Sequence, residues 1–304
     1  MSSPTTPIEA AIAVTPAPNL GSDTPLAHQA GARSGRGAFI VSQALSAASA
    51  TLPETWRLYS SQSTFLAPAN PQERIIYRVE RTFSGRVCST RTVHATQSEV
   101  PVYLAVVSFQ SLSALEGANV LNYGLSMPDL DGVHPDDIDA ESLQTMRRAM
   151  VGEKLSLPQL AADDKSLDWR PLGMDFVEDP SKFRLRGFVR APAGLSTASP
   201  AVHLAAFGFA SDEMSFGPAL AANATVLGRG FRNISTAASL THNISFHDPQ
   251  ARIDDWVVLE RDTTWGASGR VLVSQRIWGL KSGRLIMSGT QEALILLKVK
   301  TAKM

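Results

Sequence analysis

Gln291 interrupts Ile286–Leu297, an otherwise apolar stretch that reads as a strand. A buried amide left unpaired costs roughly 1–3 kcal/mol, so Gln291 is expected to have a polar partner. Asp212 ends Phe209-Ala210-Ser211-Asp212, just after the apolar segment His203–Ala210. A carboxylate emerging there is either solvated, the commoner outcome for Asp, or poised at a cleft. Ser239 and Thr241 lie in a Ser/Thr-rich strand, where hydroxyls are ordinarily surface groups. A carboxylate can activate water for direct attack, and that class survives because others lack their motifs. There is no Gly-x-Ser-x-Gly elbow, Gly-rich phosphate loop or dinucleotide fingerprint. Among His28, His94, His134, His203, His242 and His247, only the last two are close in sequence, and in a strand their odd spacing points them to opposite faces. No metal site is therefore expected. The single cysteine, Cys88, excludes an internal disulfide and a cysteine zinc site, and reads as a small packed hydrophobe in a reducing interior.

The elements that must carry these residues come in two copies. Phe65-Leu66-Ala67-Pro68, Glu80-Arg81, Gly85-Arg86-Val87 and Ser108-Phe109-Gln110 return in the same order as Phe246-His247-Asp248-Pro249, Glu260-Arg261, Gly269-Arg270-Val271 and Gly289-Thr290-Gln291. The offsets are 181, 180, 184 and 181 residues, which marks a tandem duplication. In the first copy, Ile75–Arg81, Arg86–Thr96 and Val102–Phe109 are β-branched and aromatic runs separated by turn residues. The second repeats them at Trp256–Thr264, Arg270–Leu280 and Arg284–Val299, giving two three-stranded antiparallel meanders. A helical segment precedes each, Gly37–Ala50 and about Val202–Ser211. Helices this apolar must be wrapped, and a curved antiparallel sheet is the available wrapping. The predicted fold is α+β: a double hotdog whose two sheets can join edge to edge.

This divides the chain into a flexible tail over 1–36, with one edge strand across Ile8–Val14, hotdog repeats over 37–110 and 167–299, and a linker over 111–166. Within the linker, Asp136–Met150 reads as a solvated helix. The 304 residues carry 28 basic and 28 acidic side chains. Zero net charge lacks the basic footprint of nucleic-acid binders, and no apolar run is long enough to span a membrane. The last residues, Ala302-Lys303-Met304, fit the relaxed form of the peroxisomal address. They imply an import receptor as partner and a peroxisomal location, with the cytoplasm as the alternative.

Ser63 through Pro68, Ile75 through Arg81 and Ser108-Phe109-Gln110, with Ser211-Asp212, Ala238-Ser239-Leu240, His242, Phe246-His247-x-Pro249 and Thr290-Gln291-Glu292, resemble the acyl-CoA thioesterase II family of bacterial and peroxisomal double-hotdog enzymes. The resemblance covers about 37–110 and 167–297. It implies hydrolysis of (fatty) acyl-CoA to free acid and CoA. Asp212 would be the base or water orienter, Ser239 and Gln291 would position the water, and backbone N–H groups near a helix N-terminus would stabilise an oxyanion. Coenzyme A enters as part of the substrate, so no cofactor is expected, and hotdog sheets of this kind allow a homodimer. Three departures stand out: Gly37–Gln43 lacks the family's double glycine, Gln62 replaces a histidine, and Thr241-His242-Asn243 replaces Asp-His-Ser. All three positions could line the acyl or CoA pocket. The other readings are a thioester hydrolase of a specialised natural-product pathway and a non-catalytic acyl-CoA-binding module. Hotdog dehydration chemistry is disfavoured because no histidine follows Asp212 at the expected position.

Overall fold

The computed structural model describes residues 6–17, 26–30, 36–138, 166–175, 178–228 and 232–299. Its centre is a pair of 13-residue helices, α2 (Gly37–Ser49) and α3 (Pro200–Asp212), packed on each other and wrapped by one twelve-stranded sheet. Pro200 at the first position of α3 has the φ a helix start needs and lacks only an N–H that would have gone unpaired. The apolar spacing of both helices buries Ile40, Val41, Ala44 and Leu45 against Leu204, Phe207 and the inner sheet face. Gly208 lets them close, since a Cβ there would run into Leu45 Cδ1. No helix among the described residues is long and apolar enough to cross a membrane.

The first half supplies β1 (Val14–Pro16), β2 (Leu26–Ala30), β3 (Trp56–Phe65), β4 (Ile76–Ser84), β5 (Cys88–Gln97) and β6 (Val100–Ser111). The second supplies β7 (Asp168–Asp175), β8 (Arg184–Arg190), β9 (Ile234–Phe246), β10 (Val257–Ala267), β11 (Arg270–Gly279) and β12 (Leu285–Leu297). Their order across the sheet, β1-β2-β4-β5-β6-β3-β9-β12-β11-β10-β8-β7, reads the same from either edge when each strand is replaced by its copy. The halves join where β3 pairs antiparallel with β9, from Ser60↔Ser245 to Thr64↔Thr241. Ser63 Oγ donates to His242 O at 2.6 Å and Thr64 Oγ1 to Leu240 O at 3.1 Å across that seam. The double hotdog is thus one sheet around two helices, with both predicted meanders in place.

Matching irregularities refine the equivalence of the copies. The β3–β6 ladder skips between Leu58 and Ser60, and the β9–β12 ladder skips between Ser239 and Thr241, 181 residues on. Leu58 faces Phe109 and Ser239 faces Ala293, so β6 maps onto β12 with an offset of 184. Gln291 is therefore the counterpart of Val107, not of Gln110. Gln110 lies on the opposite strand face from the buried Phe109, whereas Gln291 points inward. The sequence landmark at that position is a coincidence of letters.

The N-terminal expectation is corrected. Thr6 and Glu9 form a capping box around Pro7, starting α1 (Pro7–Ile12) where a strand was expected. Ile8, Ala11 and Ile12 are buried against the central helices, and Gln43 Nε2 holds Ala11 O at 2.7 Å, so this segment is part of the core. The predicted helix Asp136–Met150 lies outside the described residues except for a 3₁₀ turn, Pro135–Asp137. Cys88 opens β5, half-buried.

Candidate active site

The two central helices run antiparallel, so the C-terminus of α3 meets the N-terminus of α2. Asp212, the last residue of α3, faces Gly37, the first of α2. A Cβ at residue 37 would collide with Asp212 Oδ2 and stand 3.2 Å from Phe65 Cζ, so only glycine leaves room for the carboxylate. Asp212 is 8% exposed, which removes the solvated alternative. Gln291, 2% exposed, reaches it from β12: its Nε2 donates to Asp212 Oδ1 at 2.8 Å and to Ser239 Oγ at 2.9 Å. The structure thus brings Asp212, Ser239 and Gln291 together around one amide, and the partner expected for Gln291 is this pair. Gln291 Oε1 is buried with no protein partner among the described residues, leaving an acceptor available to a water.

Burial raises the Asp212 carboxyl pKa to about 6, against the Gln291 hydrogen bond and the Arg261 charge, which both pull it down. A carboxylate with that pKa is mostly ionised at neutral pH yet basic enough to accept a proton. Three residues missed in the sequence complete the setting. Arg261, 1% exposed in β10, donates to Ala210 O at 2.9 Å, Ser211 O at 3.0 Å and Glu213 O at 2.7 Å, the carbonyls on either side of Asp212. Gln275 on β11 accepts from Arg261 Nε at 3.2 Å and donates to Ser211 O at 3.0 Å. Tyr103 on β6 packs against Phe65, ring centroids 5.1 Å apart, with its side chain buried near Asp212. The legible signal for Arg261 was its phase: it falls on the same strand face as the inward Val257 and Leu259.

His242 is fully buried, its Nε2 3.0 Å from Ser211 Oγ, which itself donates to Gly208 O at 2.7 Å. Burial pushes its pKa down to about 3, so it is a neutral tie between β9 and α3. Gln62 and Thr241 lie on the outer sheet face: Gln62 is exposed and Thr241 Oγ1 accepts from Glu292 N–H at 3.4 Å. Strand alternation therefore keeps both away from the helix side, where Asp212 lies. Gly37–Gln43 does border the site, through Gly37. No cluster of three metal-ligating side chains occurs among the described residues.

Both halves match family models. Residues 30–110 match the acyl-CoA thioesterase N-terminal domain, and residues 140–295, more than half of the chain, match the acyl-CoA thioesterase C-terminal domain. The chain belongs to the acyl-CoA thioesterase family. The chain is 26% identical to human acyl-coenzyme A thioesterase 8, over 88% of this chain and 82% of the relative. A segment of 74 residues, 24% of this chain and 26% of the relative, is 42% identical to acyl-CoA thioesterase 2 of Haemophilus influenzae. The acyl-CoA thioesterase II structure from Mycobacterium marinum superposes with a TM-score of 0.74 at 22% identity, covering 97% of this chain and all of that one. That likeness is one of fold.

Proposed function

We propose that the chain hydrolyses acyl-CoA to a free acid and CoA, with Asp212 as general base. The observation that carries the proposal is the Gln291 amide, which fixes a buried, still titratable carboxylate and the Ser239 hydroxyl where two helix ends meet. A water there donates to Asp212 and is oriented by Ser239 Oγ and Gln291 Oε1. Its oxygen attacks the thioester carbonyl while Asp212 takes a proton. The oxyanion faces the start of α2, where no side chain caps the first turn and the dipole favours negative charge. Collapse breaks the C–S bond, and the CoA thiolate leaves and takes up a proton. Coenzyme A enters this reaction as part of the substrate. The relatives named above as acyl-CoA thioesterases favour this reading over a module that only binds.

The test is release of CoA thiol from acyl-CoAs of graded chain length by the wild type and Asp212→Asn. Wild-type release reduced roughly 10²–10⁴-fold in the variant is expected, the usual worth of a positioned general base. Tight binding without release by the wild type at any chain length would mean a binding protein instead. We further propose a peroxisomal location: Ala302-Lys303-Met304, outside the described residues, fits the relaxed address taken by the peroxisomal import receptor. A fluorescent fusion should leave peroxisomes for the cytosol when those three residues are deleted.

A further inference from the structure

The pseudo-two-fold that relates the halves carries the Asp212 end of the helix pair onto its other end, about 18 Å away along α2. With α2 and α3 in register at an offset of 163, Asp212 maps onto Ser49 and Gly37 onto Pro200. The strand offsets of 181 and 184 place Leu58 where Ser239 stands and Val107 where Gln291 stands. The mate position therefore has no carboxylate, no amide and an apolar residue in place of the hydroxyl. It cannot hold a hydrolytic water as the first site can.

It is nevertheless a cavity of about 500 Å³, within the range of small-molecule sites, roughly 300–1,000 Å³. The reason is visible in the same mapping. At the Asp212 end, Phe39 of α2 and Phe209 of α3 meet edge to face with centroids 5.2 Å apart and fill the space between the helices. Their counterparts are Val202 and Ser46, and both line the cavity. Leu58, Phe109 and Leu204 form its apolar floor, while exposed Pro53 and Glu54 mark a rim reachable from solvent. Ser49 Oγ and Arg57 Nε, on lining residues, are buried without hydrogen-bond partners among the described residues. The Glu9 carboxylate in the wall is occupied by Ser196 N–H, Ser196 Oγ and Thr6 N–H.

We propose that this cavity is a second acyl-chain site, which binds without hydrolysing. The occupant is an unbranched aliphatic chain lying on the Leu58–Phe109 floor, with its polar head, a carboxylate or thioester carbonyl, at Ser49 Oγ and Arg57 Nε. The choice of ligand rests on the acyl-CoA hydrolysis reading, because the cavity is the symmetry mate of the site that takes the acyl group. A duplicated body has kept the place for the chain and lost the groups that hold water.

Two probes separate the sources of the chain: palmitate on the wild type, and the non-hydrolysable thioether S-hexadecyl-CoA on Asp212→Asn. Calorimetric titration is expected to give two equivalents per chain with at least one probe. Ser46→Phe, which restores the missing ring, should reduce this to one while CoA release from a short-chain substrate stays within about twofold. A palmitate with a terminal diazirine, irradiated on the unmodified protein, should label residues 46–58 and 199–204, so the test stands even if Ser46→Phe does not fold. One equivalent with both probes, or adducts confined to the Gly37, Phe65 and Phe209–Glu213 region, would overturn the proposal. CoA release by the wild type is scored separately, so loss of the second site and loss of the hydrolase reading give different results.

Discussion

A buried carboxylate at the C-terminal end of a helix is opposed twice, by desolvation and by the negative end of the helix dipole. Asp212 is held there by the Gln291 amide and the Arg261 guanidinium, and the outcome is a pKa near 6. Activity that needs the ionised form should therefore rise with pH through about 6, read as the acid limb of kcat/KM, and the limb should vanish from residual Asp212→Asn activity. Stability has the opposite sign. The folded pKa lies above the ordinary 3.8, so the folded state binds the proton more tightly, and this contribution is complete below about pH 4 and lost as pH rises through 6. Asp212→Asn should accordingly melt higher than the wild type at pH 8, by roughly 2–6 °C, with the gap closing near pH 4, measured by calorimetry. Asp212, Ser239 and Gln291 were legible as residue types in context. The burial of Asp212 was not, because it depends on Gly37 and Phe65 of the other half.

At the scale of elements, the end of α3 and its contact with α2 are set by packing across the chain. Arg261 ties the carbonyls of Ala210, Ser211 and Glu213, so it shapes both the place and the charge of Asp212. Arg261→Gln should move the acid limb of kcat/KM upward by about one unit, costing several-fold at pH 6 and much less at pH 8. A role limited to folding would lower activity equally at both. The helix contact depends on Gly208, whose missing Cβ leaves space for Leu45. Gly208→Val should cost roughly 1–3 kcal/mol by overpacking, seen as a lower Tm, with partial recovery when Leu45→Ala is added. Helical and alternating spacing made these elements readable, since both periods are local properties of the chain. The capping box at Thr6–Glu9 is equally local, and it decides for a helix where the apolar stretch Ile8–Val14 reads as an edge strand.

For the molecule as a whole, the seam between β3 and β9 removes two open sheet edges and assembles one site from both halves. Gly37, Phe65 and Tyr103 come from the first half, and Asp212, Ser239, Arg261 and Gln291 from the second. Residues 167–304 alone would expose β9 and leave the apolar α3 without its partner, so they should elute from a sizing column as aggregate. Co-expression with residues 1–166 should recover a soluble, active complex. The duplication, the strand grammar, the apolar helices and the three polar candidates were determined by the sequence itself, because the last three are patterns within tens of residues and the duplication recurs in order at a nearly constant offset. The tertiary structure alone decided that Gln291 answers to Val107, that Arg261 guards the end of α3, and that one helix junction is filled by Phe39 and Phe209 while its mate is open. The physical reason is that these facts depend on ladder skips and on contacts between residues far apart in the chain. A skip of one residue changes which side chains face one another without altering the local pattern.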